Sequence, residues 1–221
     1  MSVDHEGEYD DERLVRYLKA AQTRGFVGKA NLENHLRHSK AFNEAIDALF
    51  QGPILRIGDI GSGGGIPGIM IAQYRQNVEV TLIESSRRRA NFLLESGKIL
   101  DLAVVVVHSS AESLGVNSKY RESFDIVTSR LFGPLSVTLE CSSPLVKVGG
   151  MIVVSSKSTH EGLQNEYWLG ELGLAIPKRI SIESNFFDGY LKVTKCKQEY
   201  PRDSSITRKK LLFDVSRETF S

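Results

Sequence analysis

A chain of 221 residues with 41% hydrophobic and 25% charged residues can bury one full core, and no apolar run approaches the roughly 20 residues that span a bilayer. Its net charge of +1 hides an asymmetry: six acids and no Lys or Arg through Glu12, against eight Lys or Arg and three acids from Lys192 to Arg217. The acidic start is the opposite of a secretory signal and predicts a cytoplasmic protein. Cys141 and Cys196 lack zinc-site spacing, so two reduced thiols and no metal site are expected.

Taken in order, residues 1–12 carry too little apolar surface to order themselves and read as a flexible acidic tail. Residues 13–221 read as one domain, with N-terminal helices over 13–50 and a core over 54–213. Leu14, Tyr17, Leu18 and Ala21 recur at helical spacing, with Arg13, Arg16 and Lys19 on other faces, which predicts an amphipathic helix from Asp10 to about Thr23. A second helix is expected from Asn31, as N-cap, to Phe50, before Gly52-Pro53. Beyond it, short β-rich runs alternate with helical segments. Strands are predicted at Ile54–Asp59, Val78–Glu84, Ala103–His108, Phe124–Ser129 and Met151–Ser155. Helices are predicted at Pro67–Arg75, Arg87–Leu100, from Ala111 or Asn117, at Pro134–Val146 and at Thr159–Leu172. The run Val104-Val105-Val106-Val107 suits a strand buried on both faces. In the last predicted helix His160 and Tyr167 read as packing and Trp168 as core. Arg179–Glu183 and Tyr190–Cys196, joined across Phe186-Phe187-Asp188-Gly189, read as an antiparallel hairpin on the sheet edge. The whole is a doubly wound α/β fold with a mostly parallel sheet.

The informative stretch is Asp59-Ile-Gly-Ser-Gly-Gly-Gly-Ile-Pro-Gly68, set between an apolar strand and an apolar helix. Glycines there permit positive φ and close approach of a ligand to the backbone, and Pro67 suits the first turn of a helix whose free N–H groups would face the loop. Two cofactors fit. Gly63-x-Gly65-x-x-Gly68, with Glu84 at the next strand end, has dinucleotide spacing. Asp59-x-Gly61-x-Gly63-x-Gly65, with the same Glu84 on a ribose diol, is the loop of S-adenosylmethionine-dependent methyltransferases. The second is favoured by Asp59, placed to meet a cationic amino group, by the width of the turn and by the closing hairpin. Loop N–H groups would serve the donor's carboxylate and Ala111-Glu112 its adenine. Glu84 capping the helix that begins at Ser85 or Ser86, and Glu112 as an ordinary first-turn acid, are the structural alternatives.

The same loop resembles that of the bacterial small-subunit (16S) rRNA guanine-N7 methyltransferase family. The resemblance extends to Glu84-Ser85 with Arg88-Arg89 and Phe92-Leu93, to Ala111-Glu112, to Ser129-Arg130, to Tyr200-Pro201-Arg202 with Lys209, and to His35 and Ser39 ahead of the sheet. It implies a seven-stranded class I fold, S-adenosylmethionine as cofactor, and 16S rRNA or the small subunit as partner of a monomer. The implied donor site comprises Asp59, Gly61, Ser62, Gly63, Gly65, Pro67, Glu84, Ser85, Ala111, Glu112 and Arg130. It implies Arg130 as the catalytic residue at the mouth of the methyl site, and Arg88, Arg89, Arg202, Arg208, Lys209 and Lys210 as RNA contacts. A structural ion pair of Arg130 with Asp125 or Glu112 is the alternative for that residue.

The chain departs from the family pattern at His38-Ser39-Lys40 (Asp-Ser-Leu), Ser110 (Arg), Asp203 (Arg), Ser205 (Gly), Leu211 (Pro) and Lys157-Ser158 (Lys-Gly). These departures fall where RNA would be handled. A methyltransferase of another substrate, such as a diverged paralogue, therefore stands as an alternative, as does a non-catalytic RNA- or ribosome-binding protein of the same fold. Guanine N7 carries its own lone pair, so the implied reaction needs no general base and rests on positioning.

Overall fold

The computed structural model describes residues 12–156 and 165–213. Residues 1–11 of the expected acidic tail, His160, Lys157-Ser158 and the chain from 214 onward lie outside them. Two helices, α1 (Glu12–Thr23) and α2 (Leu32–Leu49), precede the sheet. Asn31 caps α2 by accepting the Glu33 N–H. Then come β1 (Arg56–Ile60), α3 (Gly68–Tyr74), β2 (Glu79–Glu84), α4 (Arg87–Ile99), β3 (Val104–His108), α5 (Ala111–Gly115) and β4 (Phe124–Ser129). The chain continues through α6 (Leu135–Ser142), β5 (Val146–Ser156), α7 (Glu166–Glu171), β6 (Lys178–Ile182), β7 (Asn185–Leu191) and α8 (Ser204–Thr207).

The seven strands lie in the order β3-β2-β1-β4-β5-β7-β6, parallel through β5 and antiparallel at β7 and β6. This is the class I methyltransferase arrangement. The order reverses between β1 and β4, so a crevice opens at the carboxyl ends of those strands, where ligands of such sheets bind. One face packs against α1 to α4 through Phe42, Ile46, Met70 and Leu82, the other against α5 to α7 through Phe124, Leu139 and Leu172. Lys192 is fully buried, and its ammonium donates to the carbonyls of Ser143 (3.0 Å) and Leu172 (2.8 Å). Those residues are the C-caps of α6 and α7, so one cation satisfies two helix ends.

Several expectations are corrected. The Val104–Val107 run is an edge strand, not one buried on both faces; with one neighbouring strand, it leaves Val105 exposed. Helix α6 stops at Ser142, because Pro144 has no N–H to carry the helix ladder further, and Val146 pairs with Phe124 instead. The hairpin turns at Glu183-Ser184, both at positive φ, and Phe186–Gly189 lies inside β7. Gly189 reflects close packing, since a Cβ there would lie 2.9 Å from Met151 Sδ and 3.1 Å from Leu49. In α7 the core residue is Leu169; Trp168 is half-buried and Tyr167 exposed. Among the described residues no helix is long and apolar enough to cross a membrane.

Candidate active site

The glycine turn after β1 is held in shape by its own backbone and by β2. Gly61, Gly63 and Gly65 have φ of 63°, 58° and 91°, a region closed to most side chains. Ser62 N–H donates to Ile83 O (3.1 Å), the Ser62 hydroxyl to Asp59 O (2.8 Å), and Gly63 N–H to Glu84 Oε2 (2.9 Å). From the other side the Tyr17 hydroxyl donates to Gly64 O, and burial pushes that phenol up. A Cβ on Gly64 would strike Val27 and come within 3.0 Å of Phe26 O, so the α1–α2 loop lies directly on the turn.

Between this turn and the loop after β4 opens a cavity of about 680 Å³. Of the residues expected at the site, Gly61, Ser62, Gly63, Glu84, Ser85, Glu112 and Arg130 line it, together with Arg89 and Arg208. Glu84 combines two roles that the sequence left as alternatives. Its Oε1 accepts the Ser86 N–H at the N-cap of α4 (2.7 Å) and Arg89 (2.8 Å), while Oε2 holds the turn. Those donors hold its carboxyl below the usual range although burial, the largest influence, pushes it up. Glu112 is 5% exposed, with both carboxylate oxygens unpaired by hydrogen bonds among the described residues; Arg208 Nε stands 3.3 Å away.

Arg130 is half-buried and makes no hydrogen bond or ion pair among the described residues. Burial lowers its pKa and the Asp59 charge opposes that. Neither alternative partner holds it: Asp125 takes Lys147 and the N–H groups of Leu55 and Arg56, and Glu112 faces Arg208. His38 stands nearby, held down to about 4 by burial and then by Arg130 and His35.

Other expected residues lie elsewhere. Asp59, 1% exposed, sits beneath the turn outside the cavity wall; its Oδ1 accepts the Thr128 hydroxyl (2.8 Å) and its Oδ2 is buried with no hydrogen-bond partner among the described residues. Burial pushes its carboxyl up to about 6, against the lowering effects of Thr128, Ser62 and the Gly68 backbone. Gly65, Pro67 and Ala111 are buried or turned away from the cavity wall. Pro67 is the N-cap of α3 rather than its first residue, and the Ile69 N–H goes to Gly65 O, so that donor does not face the cavity.

The basic residues separate into classes. Arg202 is an internal strut: Nε and Nη2 bind Glu140 at 2.8 and 2.7 Å, Nη2 also donates to Lys210 O, and the Glu140 side chain is 1% exposed. That geometry corrects its expected place among free RNA contacts. Arg89 pairs with Glu84, Arg88 lies over the Phe26 ring, and Arg208 lies over Phe132 while facing Glu112. Lys209 and Lys210 are exposed. Motif reading missed Phe26, Val27, Gly28 and Ala30, which wall the cavity, and Leu131 and Phe132 after Arg130. His35 and Ser39 belong to that wall's support: His35 Nε2 lies 3.0 Å from Gly28 O and the Ser39 hydroxyl donates to His35 O.

The family profile described as rRNA small subunit methyltransferase G matches residues 18–167. A protein of that name from Caldanaerobacter subterraneus subsp. tengcongensis is 33% identical over 184 residues, covering 78% of this chain and 77% of its own. One from Lactobacillus johnsonii is 31% identical over 215 residues, covering 91% and 88%. Among solved structures, a SAM-dependent methyltransferase from Aquifex aeolicus superposes with TM-score 0.55 at 14% identity, over 80% of this chain and 98% of its own.

Proposed function

We propose, from the premise that this chain belongs to the rRNA small subunit methyltransferase G family, that it transfers a methyl group from S-adenosylmethionine to a guanine N7 of 16S rRNA in the small ribosomal subunit. The observation that carries the reading is the cavity itself. An acid tied to a glycine turn, and a second buried acid without hydrogen bonds and a half-buried arginine without a partner among the described residues, converge on one space.

Each feature suits one part of the donor. Glu84 retains one lone pair, on Oε2, for a ribose hydroxyl beyond those given to Gly63, Ser86 and Arg89. Glu112 is a buried acceptor that faces Arg208 at 3.3 Å but takes no hydrogen bond among the described residues, which leaves it capacity for a donor such as an adenine amino group. Ser62, Ser85 and the positive-φ backbone of Gly61 and Gly63 admit close approach. Asp59 acts from below, its charge favouring the cationic form of Arg130. Bound S-adenosylmethionine supplies a methyl group on a sulfonium, which a lone pair can accept with no proton moved. The residues here therefore need only position the two partners, worth roughly 7–11 kcal/mol when reacting groups are well aligned. Arg130, at the carboxyl end of β4, would stack on a base or hold O6 or a phosphate.

Lys209, Lys210 and Arg88 would contact the RNA backbone, and Arg208 would close the donor side over Phe132. Titration calorimetry with S-adenosylmethionine and NAD tests the donor assignment. One S-adenosylmethionine per chain, with no NAD heat, is expected; the reverse preference refutes it.

A further inference from the structure

Beyond Arg130 lies a second, smaller cavity of about 170 Å³ that shares Leu131 and Phe132 with the first. Its other walls come from Thr138 on α6, Ser155 and Ser156 at the end of β5, and Asp188 on β7. We propose that this cavity receives the target base, extruded from its stack, and that Asp188 and Ser156 read its Watson–Crick edge. The proposal rests on the methyl-transfer reading above and specifies how that site selects its acceptor.

Three observations support it. The cavity lies at the carboxyl ends of β4 and β5, beside the donor space, where an acceptor must sit to reach the transferred group. At 170 Å³ it is well below the roughly 300–1,000 Å³ of a drug-sized ligand site and suits one planar ring system. Its polar groups are unusual for so small a space. Asp188 is 3% exposed, and each oxygen accepts one N–H from Arg179, at 2.6 and 2.9 Å. That fork fixes the carboxylate plane and leaves lone pairs free on both oxygens. Ser156 Oγ is buried with no hydrogen-bond partner among the described residues.

Guanine presents N1–H and a 2-amino group side by side, both donors, with the O6 acceptor adjoining. A carboxylate across the first two and a hydroxyl on the third match that edge. Adenine would set its N1 lone pair against Asp188 and offer no 2-amino group, leaving the acid facing an acceptor. N7 lies on the opposite side of the purine from N1, so a guanine seated this way turns N7 back across Phe132 toward the donor space. Leu131 stands on the ridge between the cavities at φ 55° with its residue 87% exposed. A strained, exposed apolar side chain there can fill the gap that an extruded base leaves.

The test uses guanosine and adenosine as probes, by saturation-transfer NMR, on the full chain loaded with S-adenosylhomocysteine. The wild type should bind guanosine in preference to adenosine. Asp188→Asn should weaken guanosine about tenfold while leaving S-adenosylhomocysteine affinity within twofold. Ser156→Leu, which fills the cavity while leaving Asp188 and Arg179 unsubstituted, should also lose guanosine. No guanosine preference in the wild type, guanosine affinity unchanged from wild type in the two variants, or parallel loss of S-adenosylhomocysteine would overturn the proposal. If guanosine binds in this Asp188-dependent way but small subunits gain no methyl group, the base site stands and the rRNA assignment is what fails.

Discussion

The glycine turn of the donor side and the acceptor side differ in how their polar groups are satisfied. On the donor side the turn is tied down from every direction: Ser62 to Asp59 and Ile83, Gly63 to Glu84, Gly64 to Tyr17, and Glu84 to α4. On the acceptor side the groups are held but unspent. Arg130 has no partner among the described residues, Ser156 Oγ is buried without one, Leu131 projects into solvent, and Lys209 and Lys210 are exposed. A small cofactor of fixed shape can be met by a preformed cradle. A large RNA brings its own structure, and its contacts form when it docks.

The comparison breaks first at Arg202, a basic residue built like the donor side although its neighbours in sequence belong to the other. Arg202→Met strands the buried Glu140 carboxylate and should cost about 3–5 kcal/mol of stability, read as a lower midpoint in urea unfolding. A variant as stable as wild type would return Arg202 to the RNA-facing set.

Asp59 tests how firmly the cradle is set. Its carboxyl holds a proton up to pH about 6 in the folded chain, but only to about 4 when unfolded. Folding therefore takes up a proton in that window. The Asp59 contribution to stability is full below about pH 4 and is lost as pH rises through 6, by order 2–3 kcal/mol. Asp59→Asn should remove that fall, and parallel wild-type and variant curves between pH 4 and 7 would contradict it.

Glu84→Gln sharpens the donor side. Loss of a charged acceptor shared by the turn, the helix and the ribose should weaken S-adenosylmethionine roughly 10- to 100-fold, consistent with about 1.5–3 kcal/mol for hydrogen bonds to a charged group. Unchanged affinity by calorimetry would remove Glu84 from the cofactor. The smallest effect belongs to the exposed lysines. Lys209→Gln and Lys210→Gln should each lower the salt slope of single-stranded RNA binding by about 0.7 and leave donor affinity alone. A slope that does not move would make that face merely solvated.

Much of the donor half was legible in the sequence, because glycine spacing, an acid at the next strand end and alternating strand and helix are local signals. Gly61, Gly63 and Glu84 meet where their spacing implies. Arg202 was misplaced for the opposite reason: its partner Glu140 is 62 residues away, and no local pattern distinguishes a buried strut from a free cation. The same limit hid the Phe26–Ala30 wall, set on the turn by α1 and α2, and the Asp188 cavity, whose acid lay in a segment read as a turn. Asp188-Gly189 has turn chemistry, yet the sheet claims it because Gly189 lets Met151 and Leu49 pack close. Val104–Val107 misled by composition, since a valine run does not reveal which strand ends the sheet.

The most direct test of the account is methylation of small ribosomal subunits purified from a strain lacking this gene, using the purified protein and S-adenosylmethionine, with nucleosides of the 16S rRNA resolved by mass spectrometry. The account predicts a gain of one 7-methylguanosine per subunit, lost with Arg130→Ala. No gain, or a methyl group on another base or atom, would contradict it.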